Sequence, residues 1–481
     1  MSRFRLFILP LVLFIVGALL WACAKDYVTG KRRLTLVSES QEIAMGAEAD
    51  PSIVAEFGVY DDENLAAFVD GIGQAMVKVS HRPTLKFTFR VVDSPVVNAF
   101  ALPGGFVYFT RGILAHFNSE AELAGVMGHE IGHVTAQHGV EQMTKQQLAG
   151  IGLLAGTILS EDFRRFSDVV QTGLGLIFLK YSRDNESESD RLGVEYSTRA
   201  GYEAHHMARF FQTISRITEQ AGGGPPTFLS THPNPDNREQ RVDALATEWQ
   251  AKVPGPKGGA DRAAYLRRIE GIVYGEDPRQ GFVENGYFYH SELRFQFSVP
   301  ADWHVVNQPS QVQMISPQKN AAIQFSLGKG ASAQEAAQAF AQNSKATVLR
   351  SGAAQVNGMR AHVVISDMQT QDGGVLRVMS YFIEKDGKIY MFHGYTAANL
   401  FDGQAPAFER VMKSFDRLRN QAALTKQPRR VKIMTVDQAG DMRQTLTRLG
   451  VQEKELEDLA ILNGMHLEDR LERGALVKVV R

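Results

Sequence analysis

Residues 125–138 have the sequence GVMGHEIGHVTAQH, and the fold predicted for the first part of the chain follows from this stretch. His129 and His133 stand four positions apart, and Glu130 directly follows the first histidine. On a helix, side chains four positions apart lie on one face, about 6 Å from each other. Both imidazoles can therefore bind one metal ion. The stretch predicts a metal-binding helix, and the alternative is a helix whose two histidines are unrelated.

Glu130 is the candidate for acid–base chemistry beside such a metal. It is rotated by about 100° from His129 around the helix, so its carboxylate lies next to the ion without binding it. Zn²⁺ lowers the pKa of a coordinated water towards about 7. Glu130 could take the proton of that water and pass it to a leaving amine. The pattern predicts zinc-dependent hydrolysis of a peptide bond with Glu130 as general base.

The same helix carries an unusual number of glycines. Gly125, Gly128 and Gly132 each cost about 1 kcal/mol in a helix interior, which predicts that a neighbouring element packs closely against this face. Ser119 and Glu122 have the spacing of a capping box, so the helix is expected to start at Ser119. A solvated helix with unrelated histidines would not need this apolar, glycine-bearing face.

A catalytic zinc takes three protein ligands and leaves one position open. Residues 181–195, YSRDNESESDRLGVE, supply candidates for the third ligand, because Glu186 and Asp190 are again four apart. Glu186 could complete a His-His-Glu set, and Asp190 could accept a hydrogen bond from a ligand imidazole. Spacing alone does not separate Glu186 from Glu188 or Asp184, since an acidic helix start also interacts favourably with the helix dipole.

Four stretches together resemble the zinc metallopeptidase family that includes the CAAX prenyl endopeptidases and the bacterial β-barrel assembly-enhancing protease. They are NAFALPGGFVYFTRGIL (98–114), GHEIGHVTAQHGVEQ (128–142), YSRDNESESDRLGVE (181–195) and STHPNPDNR (230–238). The resemblance covers about residues 26–245. It implies that Glu186 is the third zinc ligand, that Asp190 is a supporting and proton-donating carboxylate, and that each chain binds one Zn²⁺. Ser189 replaces the alanine that usually precedes this aspartate.

His232 lies in a Thr-His-Pro turn, and its role stays open. The resemblance to periplasmic family members implies that it can bind the zinc as a fourth ligand and close the site. A loop, hinged at residues 222–226 (GGGPP), would then have to move before catalysis. The alternative is a loop histidine packed against proline. His138, His205 and His206 are interpreted as structural or exposed.

Residues 106–110, FVYFT, are predicted to form an exposed edge strand beside the site. Extended peptide can pair with such an edge through main-chain hydrogen bonds, whatever its side chains are. This predicts a protease that accepts unfolded segments with little sequence preference.

The first 22 residues are predicted to be a signal peptide with a lipobox. A basic start is followed by the apolar stretch 6–20 and by LWAC, which places Ala22 before the single cysteine, Cys23. The apolar stretch is shorter than the roughly 20 residues of a membrane span, although an uncleaved anchor is the alternative. Lipidation of Cys23 would hold the chain at a membrane surface. By resemblance to the lipoprotein sorting rule, Ala24 favours the outer membrane, on the periplasmic side of a bacterial envelope.

The length of 481 residues predicts several domains, and polar or glycine-proline stretches at 253–259 and 420–430 divide the chain into three. Residues 23–253 are predicted to form a mainly α, zincin-type (gluzincin) domain with a small sheet. Residues 281–418 are predicted to be an α+β domain, an antiparallel sheet with helices on one side, and resemble the Mog1/PsbP type. Apolar stretches at 148–159 and 169–179 are interpreted as buried helices, and the alternative is a hairpin over the active site that leans on the membrane.

Residues 430–481 have the pattern strand, helix, helix, strand. Asn463, Gly464 and Gly474 make this piece resemble the LysM module, which binds N-acetyl-glycan chains. The usual Gly-Asp-Thr opening is present only as Gly440-Asp441-Met442. Glycan binding and a retained fold without a ligand are equally compatible with this pattern.

The favoured hypothesis is a zinc endopeptidase that hydrolyses unfolded or misassembled envelope proteins. The net charge of −1 gives no reason to expect nucleic acid as a partner. One alternative is an envelope chaperone or scaffold whose zinc site is gated by His232 and rarely cuts. Another is a protein that chiefly binds peptidoglycan.

Overall fold

The computed structural model describes residues 23–145, 181–220, 228, 232, 237–255, 257–370 and 374–481. The chain divides into two compact units, the first made of Met1–Val54, Gly58–Gly275 and Arg430–Arg481, the second of Ala55–Phe57 and Glu276–Arg429. None of the described helices is long and apolar enough to cross a membrane. The predicted signal peptide, the apolar stretches 148–159 and 169–179, and the predicted hinge at 222–226 lie outside the described residues.

The described α-helices are numbered in chain order. They are α1 (Glu39–Phe57), α2 (Glu63–Val77), α3 (Arg111–His116), α4 (Glu120–Thr135), α5 (Arg183–Arg199), α6 (His205–Gln220), α7 (Arg238–Lys252), α8 (Arg262–Ile269), α9 (Ala333–Asn343), α10 (Phe401–Lys413), α11 (Gln421–Thr425), α12 (Met442–Arg448) and α13 (Leu456–Leu462). The stretch with His129 and His133 lies on α4 of the first unit, and its helical conformation was predicted from the spacing of the two histidines.

The described strands are numbered along the chain in the same way. They are β1 (Cys23–Lys25), β2 (Arg32–Leu34), β3 (Thr88–Val92), β4 (Ala99–Leu102), β5 (Phe106–Thr110), β6 (Phe282–Glu284), β7 (Tyr287–His290), β8 (Phe295–Ser298), β9 (His304–Asn307), β10 (Gln311–Ile315), β11 (Ala321–Gly328), β12 (Thr347–Val356), β13 (Met359–Gln369), β14 (Val375–Lys385), β15 (Lys388–Ala397), β16 (Asp416–Arg417), β17 (Val431–Thr435), β18 (Gly440–Asp441), β19 (Arg470–Leu471) and β20 (Leu476–Val480).

Helix α4 is the central element of the first unit. Its residues from Ala121 to Thr135 are all buried. The predicted start is confirmed, because the Ser119 hydroxyl accepts a hydrogen bond of 3.2 Å from the backbone N–H of Glu122. The Glu122 carboxylate accepts from the backbone N–H of Asn118 at 2.7 Å, one residue before the N-cap. The predicted capping box is therefore only half formed.

The glycines of α4 make the close contacts that the sequence predicted. A Cβ atom at Gly128 would lie 2.8 Å from the carbonyl oxygen of Gly193 on α5, and one at Gly125 would lie 2.6 Å from Cβ of Met207 on α6. Conversely, a Cβ at Gly193 would lie 2.9 Å from the backbone nitrogen of His129. Real Cβ atoms essentially never approach so closely. The backbones of α4 and α5 thus touch at the level of the first histidine.

The small sheet of the first unit has the order β3-β5-β4. The prediction that residues 106–110 form an exposed edge is wrong: β5 is the central strand, parallel to β3 and antiparallel to β4. The edge next to α4 is β4, whose residues are all buried. The prediction missed β4 because its four residues are uniformly apolar and show no alternation. The turn at residues 103–105 pairs it with β5 as a hairpin.

The C-terminal piece has the predicted order of strand, helix, helix and strand, and β17 pairs antiparallel with β20. It does not stand apart as a third compact piece, because its core is continuous with that of the first unit. The buried Lys478 of β20 donates to the carbonyl oxygens of Ala115 at 2.8 Å and Phe117 at 3.0 Å. Both acceptors lie just before the start of α4. The identity of this piece as a LysM-like module stays a prediction.

The second unit contains a seven-stranded antiparallel sheet of order β12-β13-β14-β15-β11-β10-β9 and a four-stranded sheet of order β16-β8-β7-β6. The expectation of helices on one side of the large sheet is wrong. On β14, Phe382 packs in the cluster formed with α9, whereas Tyr381 and Ile383 belong to the cluster that contains Phe408 of α10. Successive residues of a strand face opposite sides, so the two helices cover opposite faces.

The α4–α5 contact can be tested with Gly193→Ala. The added methyl group would meet backbone atoms of α4, which move only if the two helices separate. We expect a loss of about 1–3 kcal/mol in the free energy of unfolding. The control is Gly71→Ala in α2, where a Cβ atom meets nothing within 4 Å. That variant should be unchanged or more stable by about 0.5–1 kcal/mol. Denaturant unfolding measures both, and equal effects would contradict the close packing.

Candidate metal centre

The four predicted ligands converge on one point of the first unit. One ligand atom from each of His129 and His133 on α4, Glu186 on α5 and His232 lies within 4.8 Å of every other. None of the four residues is more than 2% exposed. The i,i+4 spacing puts the two imidazoles on the face of α4 that meets α5, and the contact at Gly193 brings the Glu186 carboxylate to them.

The donor atoms of these residues lie within hydrogen-bonding distance of one another. Nε2 of His129 lies 3.0 Å from Nε2 of His133 and 3.3 Å from Nδ1 of His232. Oε1 of Glu186 lies 3.1 Å from the same His232 nitrogen. Each of these contacts is a hydrogen bond when one of the two atoms carries a proton, and a bound cation would take the place of those protons. Imidazole nitrogens with one carboxylate oxygen are a donor set that suits zinc.

Glu130 lies beside the donor atoms without belonging to them. Its side chain is completely buried, and neither carboxylate oxygen has a hydrogen-bond partner among the described residues. Its Oε1 atom lies 3.5 Å from Nε2 of His232. Burial raises the pKa of Glu130 above its usual value. This placement is the one that a proton acceptor next to the metal requires.

Asp190 lies behind His129, where the sequence predicted a supporting carboxylate. Its Oδ1 atom is 3.0 Å from Nδ1 of His129 and accepts from Nη2 of Arg238 at 2.7 Å. Burial opposes ionisation of Asp190, but Arg238 and His129 outweigh it and hold the pKa below its usual value. The carboxylate therefore favours a proton on Nδ1 of His129, which would leave Nε2 available for a metal ion.

Arg238 is the first residue of α7 and contacts the two α5 carboxylates of the site, those of Asp190 and Glu186. Its Nη2 atom also lies 3.2 Å from Oε2 of Glu186, and its guanidinium stacks over Phe211 at 4.0 Å. The arginine thus balances the charge of the two carboxylates and fixes their orientation.

Two residues of the site were missed by the sequence analysis. His138 was interpreted as structural or exposed, yet it is fully buried and its Nδ1 atom lies 3.0 Å from Nδ1 of His133. Tyr181 stacks on the ring of His133 with centroids 4.0 Å apart. Helical spacing could not reveal His138, because α4 ends at Thr135 and Gln137 adopts a φ of +55° that turns the chain back.

Comparison with known proteins is consistent with this geometry. Residues 63–246, which include α4 and α5, match the model of peptidase family M48. The β-barrel assembly-enhancing protease of Yersinia pestis is 30% identical over 252 residues, which cover 50% of this chain and 50% of that protein. Mitochondrial metalloendopeptidase OMA1 of Arabidopsis thaliana is 32% identical over 209 residues, which cover 42% of this chain and 41% of that protein. The chain spans half or less of the length of these curated relatives.

Among solved structures, cyanobacterial PsbP from Synechocystis sp. PCC 6803 aligns with 27% of this chain and 91% of its own, at 15% identity and a TM-score of 0.24. A similarity at this TM-score supports no conclusion about the second unit. Its resemblance to the Mog1/PsbP type stays a prediction.

Removal of the carboxylate ligand tests the donor set. We expect the wild-type chain to bind one zinc ion and Glu186→Gln to bind it much more weakly, because the neutral amide is a poor ligand. The matched control is Glu195→Gln on the same helix, whose carboxylate is also buried but pairs with Arg191 and Arg199. Elemental analysis and chelator competition measure zinc content and affinity. Equal zinc binding by both variants would show that Glu186 is not a zinc ligand.

Proposed function

We infer, from the homology of residues 63–246 to peptidase family M48, that this chain is a zinc-dependent metalloendopeptidase. The observation that carries this proposal is the arrangement of the buried donor atoms with Glu130 beside them. His129, His133 and Glu186 form the ligand set of a catalytic zinc, and Glu130 is the only one of the predicted site carboxylates with both oxygens unpartnered among the described residues.

The residues of the chain have separate tasks in the proposed reaction. A zinc ion held by the donor set supplies Lewis-acid chemistry towards water and the scissile carbonyl. Glu130 accepts the proton of the attacking water and returns it to the leaving amine. Asp190 keeps His129 in the tautomer that binds metal, and Arg238 holds Asp190. We also assign to Asp190 the support of proton transfer that the family resemblance implied.

We propose that the substrate is an extended, unfolded segment. The edge strand next to α4 is β4, whose residues are buried in the structure, so a peptide would add to the β4 edge through main-chain hydrogen bonds once this edge is uncovered. Such pairing uses the backbone of the substrate and places few demands on its side chains. Folded proteins cannot supply a free strand of this kind, which favours unfolded or misassembled clients.

Loss of the general base tests the proposed reaction. Glu130→Gln keeps the shape of the side chain but cannot take a proton. We expect the rate of casein cleavage by the purified chain to fall at least about 10²-fold, while zinc remains bound. A chelator should abolish cleavage by the wild type, and Glu195→Gln should cleave normally. Cleavage that is unaltered in Glu130→Gln or after zinc removal would contradict the zinc-dependent mechanism with Glu130 as general base.

The position of His232 favours a second candidate function, in which the metal site of the resting chain has no open coordination position. Its Nδ1 atom lies with the other donors, so a metal bound there would have four protein ligands instead of three. A catalytic zinc keeps one position for water or substrate. We propose that His232 occupies this position in the resting chain and must leave it before cleavage. A chain that rarely opened would act as an envelope chaperone or scaffold rather than as a protease.

The gating role can be tested with His232→Ala. If His232 blocks the open position, the variant should cleave unfolded casein faster than the wild type at equal zinc content. The control is His205→Ala on α6, because His205 is paired with Asp243 and lies outside the donor set. Fluorogenic peptide hydrolysis measures the rates. A lower rate in His232→Ala would show that this histidine assists the reaction instead of blocking it.

We place the chain in the bacterial envelope, on the periplasmic side, as an outer-membrane lipoprotein. The support is the predicted signal peptide and lipobox before Cys23, and relatives whose name refers to β-barrel assembly. Unfolded or misassembled envelope proteins are the corresponding clients.

Binding of peptidoglycan through residues 430–481 is less well supported. The Asn463 amide, part of the LysM resemblance, is buried and donates to the carbonyl oxygens of Leu459 and Lys478. Its oxygen accepts from the backbone of Lys478 and from Arg262. A side chain whose hydrogen bonds are all internal has none left for a glycan.

A further inference from the structure

The second zinc-binding histidine has a support of its own, formed by His138 and Glu188. Nδ1 of His133 lies 3.0 Å from Nδ1 of His138, and Nε2 of His138 lies 3.3 Å from Oε2 of Glu188. His138 is fully buried, whereas the Glu188 side chain is 31% exposed. The chain of contacts therefore runs from the metal centre to the protein surface.

The direction of the hydrogen bonds from His133 to His138 and from His138 to Glu188 follows from metal binding by His133. Nε2 is the atom with which His133 faces the other donors, since it lies 3.0 Å from Nε2 of His129 and 3.4 Å from Oε1 of Glu186. A ligand nitrogen carries no proton, so the ring proton of His133 is on Nδ1 and must be donated. His138 is the acceptor, through Nδ1.

The same reasoning fixes the tautomer of His138. Because its Nδ1 atom accepts, its own proton is on Nε2, which faces the Glu188 carboxylate. An ionised carboxylate only accepts hydrogen bonds. The opposite direction would leave a proton on Nε2 of His133, aimed at the metal position. One arrangement of protons is therefore compatible with a bound metal.

We propose that His138 and Glu188 are positioning residues that fix the tautomer and ring orientation of His133 for zinc binding. This inference rests on the proposed zinc site and goes beyond it, because it assigns a second support besides Asp190 and Arg238. His129 is held by a buried carboxylate directly, whereas a neutral imidazole stands between His133 and its carboxylate. The two supports are on different sides of the donor set and can be removed separately.

Ser189 belongs to the same arrangement. Its hydroxyl lies 3.2 Å from Nδ1 of His138, so it can donate to the acceptor that also receives the His133 proton. Ser189 is the position at which the sequence departs from the alanine usual in the family. The departure thus falls next to the His133–His138 contact and adds a polar group there.

Four variants of the full chain test the proposal. His138→Leu removes the acceptor, and His138→Asn keeps one near the position of Nδ1. Glu188→Gln keeps the shape of the side chain but removes its charge. The control His393→Leu changes a histidine of the second unit that contacts Ser380, Phe340 and Phe382. Zinc dissociation constants come from competition with a chromogenic chelator.

We expect His138→Leu to weaken zinc binding about 10–100-fold, the usual effect of losing a partner of a ligand histidine. His138→Asn should recover most of the affinity. Glu188→Gln should lose less than His138→Leu, because solvent partly screens its charge. His393→Leu should bind zinc like the wild type. Thermal unfolding of the zinc-free chains shows whether a variant has lost its fold rather than its zinc support.

The proton positions give a second readout that needs no variant. Long-range ¹H–¹⁵N spectra of the zinc-loaded chain with labelled histidines should show the proton on Nδ1 of His133 and on Nε2 of His138. The opposite tautomer of either ring, or zinc affinities that do not change in His138→Leu and Glu188→Gln, would overturn the inference while the zinc site stands. A wild-type chain that binds no zinc would instead overturn the proposed function, and this inference with it.

Discussion

The closeness of two helix backbones is the constraint on which the rest of the first unit depends. Gly128 and Gly193 meet where α4 and α5 cross, and a methyl group on either would collide with the other helix. Because the backbones touch, a short acidic side chain on α5 can reach imidazoles that α4 presents. Glycine weakens each helix by about 1 kcal/mol, so the geometry of the centre is obtained at the expense of helix stability.

This closeness has an electrostatic consequence. Glu130, Glu186 and Asp190 are each at most 2% exposed, and a buried carboxylate is strongly destabilising unless it is paired or binds a metal. Arg238 offsets part of the charge, since it contacts Asp190 and Glu186. Glu130 accepts no hydrogen bond from the described residues, and its Oε1 atom lies 3.5 Å from Nε2 of His232. The site therefore places a proton acceptor without hydrogen bonds beside a donor set that a cation would complete.

The sequence predicted the parts of the site that follow helical periodicity. The i,i+4 spacing was enough to place His129 and His133 on one face, and the start at Ser119 followed from its capping pattern. Periodicity could not choose Glu186 over Glu188, and the family resemblance made that choice. The structure shows why both are acidic: one faces the donor set, and the other faces His138. The edge strand and His138 were missed because uniform burial and a left-handed turn leave no periodic signal.

The C-terminal residues show the limit of dividing a chain by its polar stretches. Lysine is normally a surface residue, but Lys478 is buried and donates to carbonyl groups that precede α4. Asn118, the residue before the N-cap of α4, accepts from Arg262, which also donates to Asn463. The start of α4 is thus held by Arg262, 144 positions from Asn118, and by Lys478, 361 positions from Phe117. A piece of the chain that fixes the helix carrying the ligands is part of the metal centre's framework, so its folding and the geometry of the site are coupled.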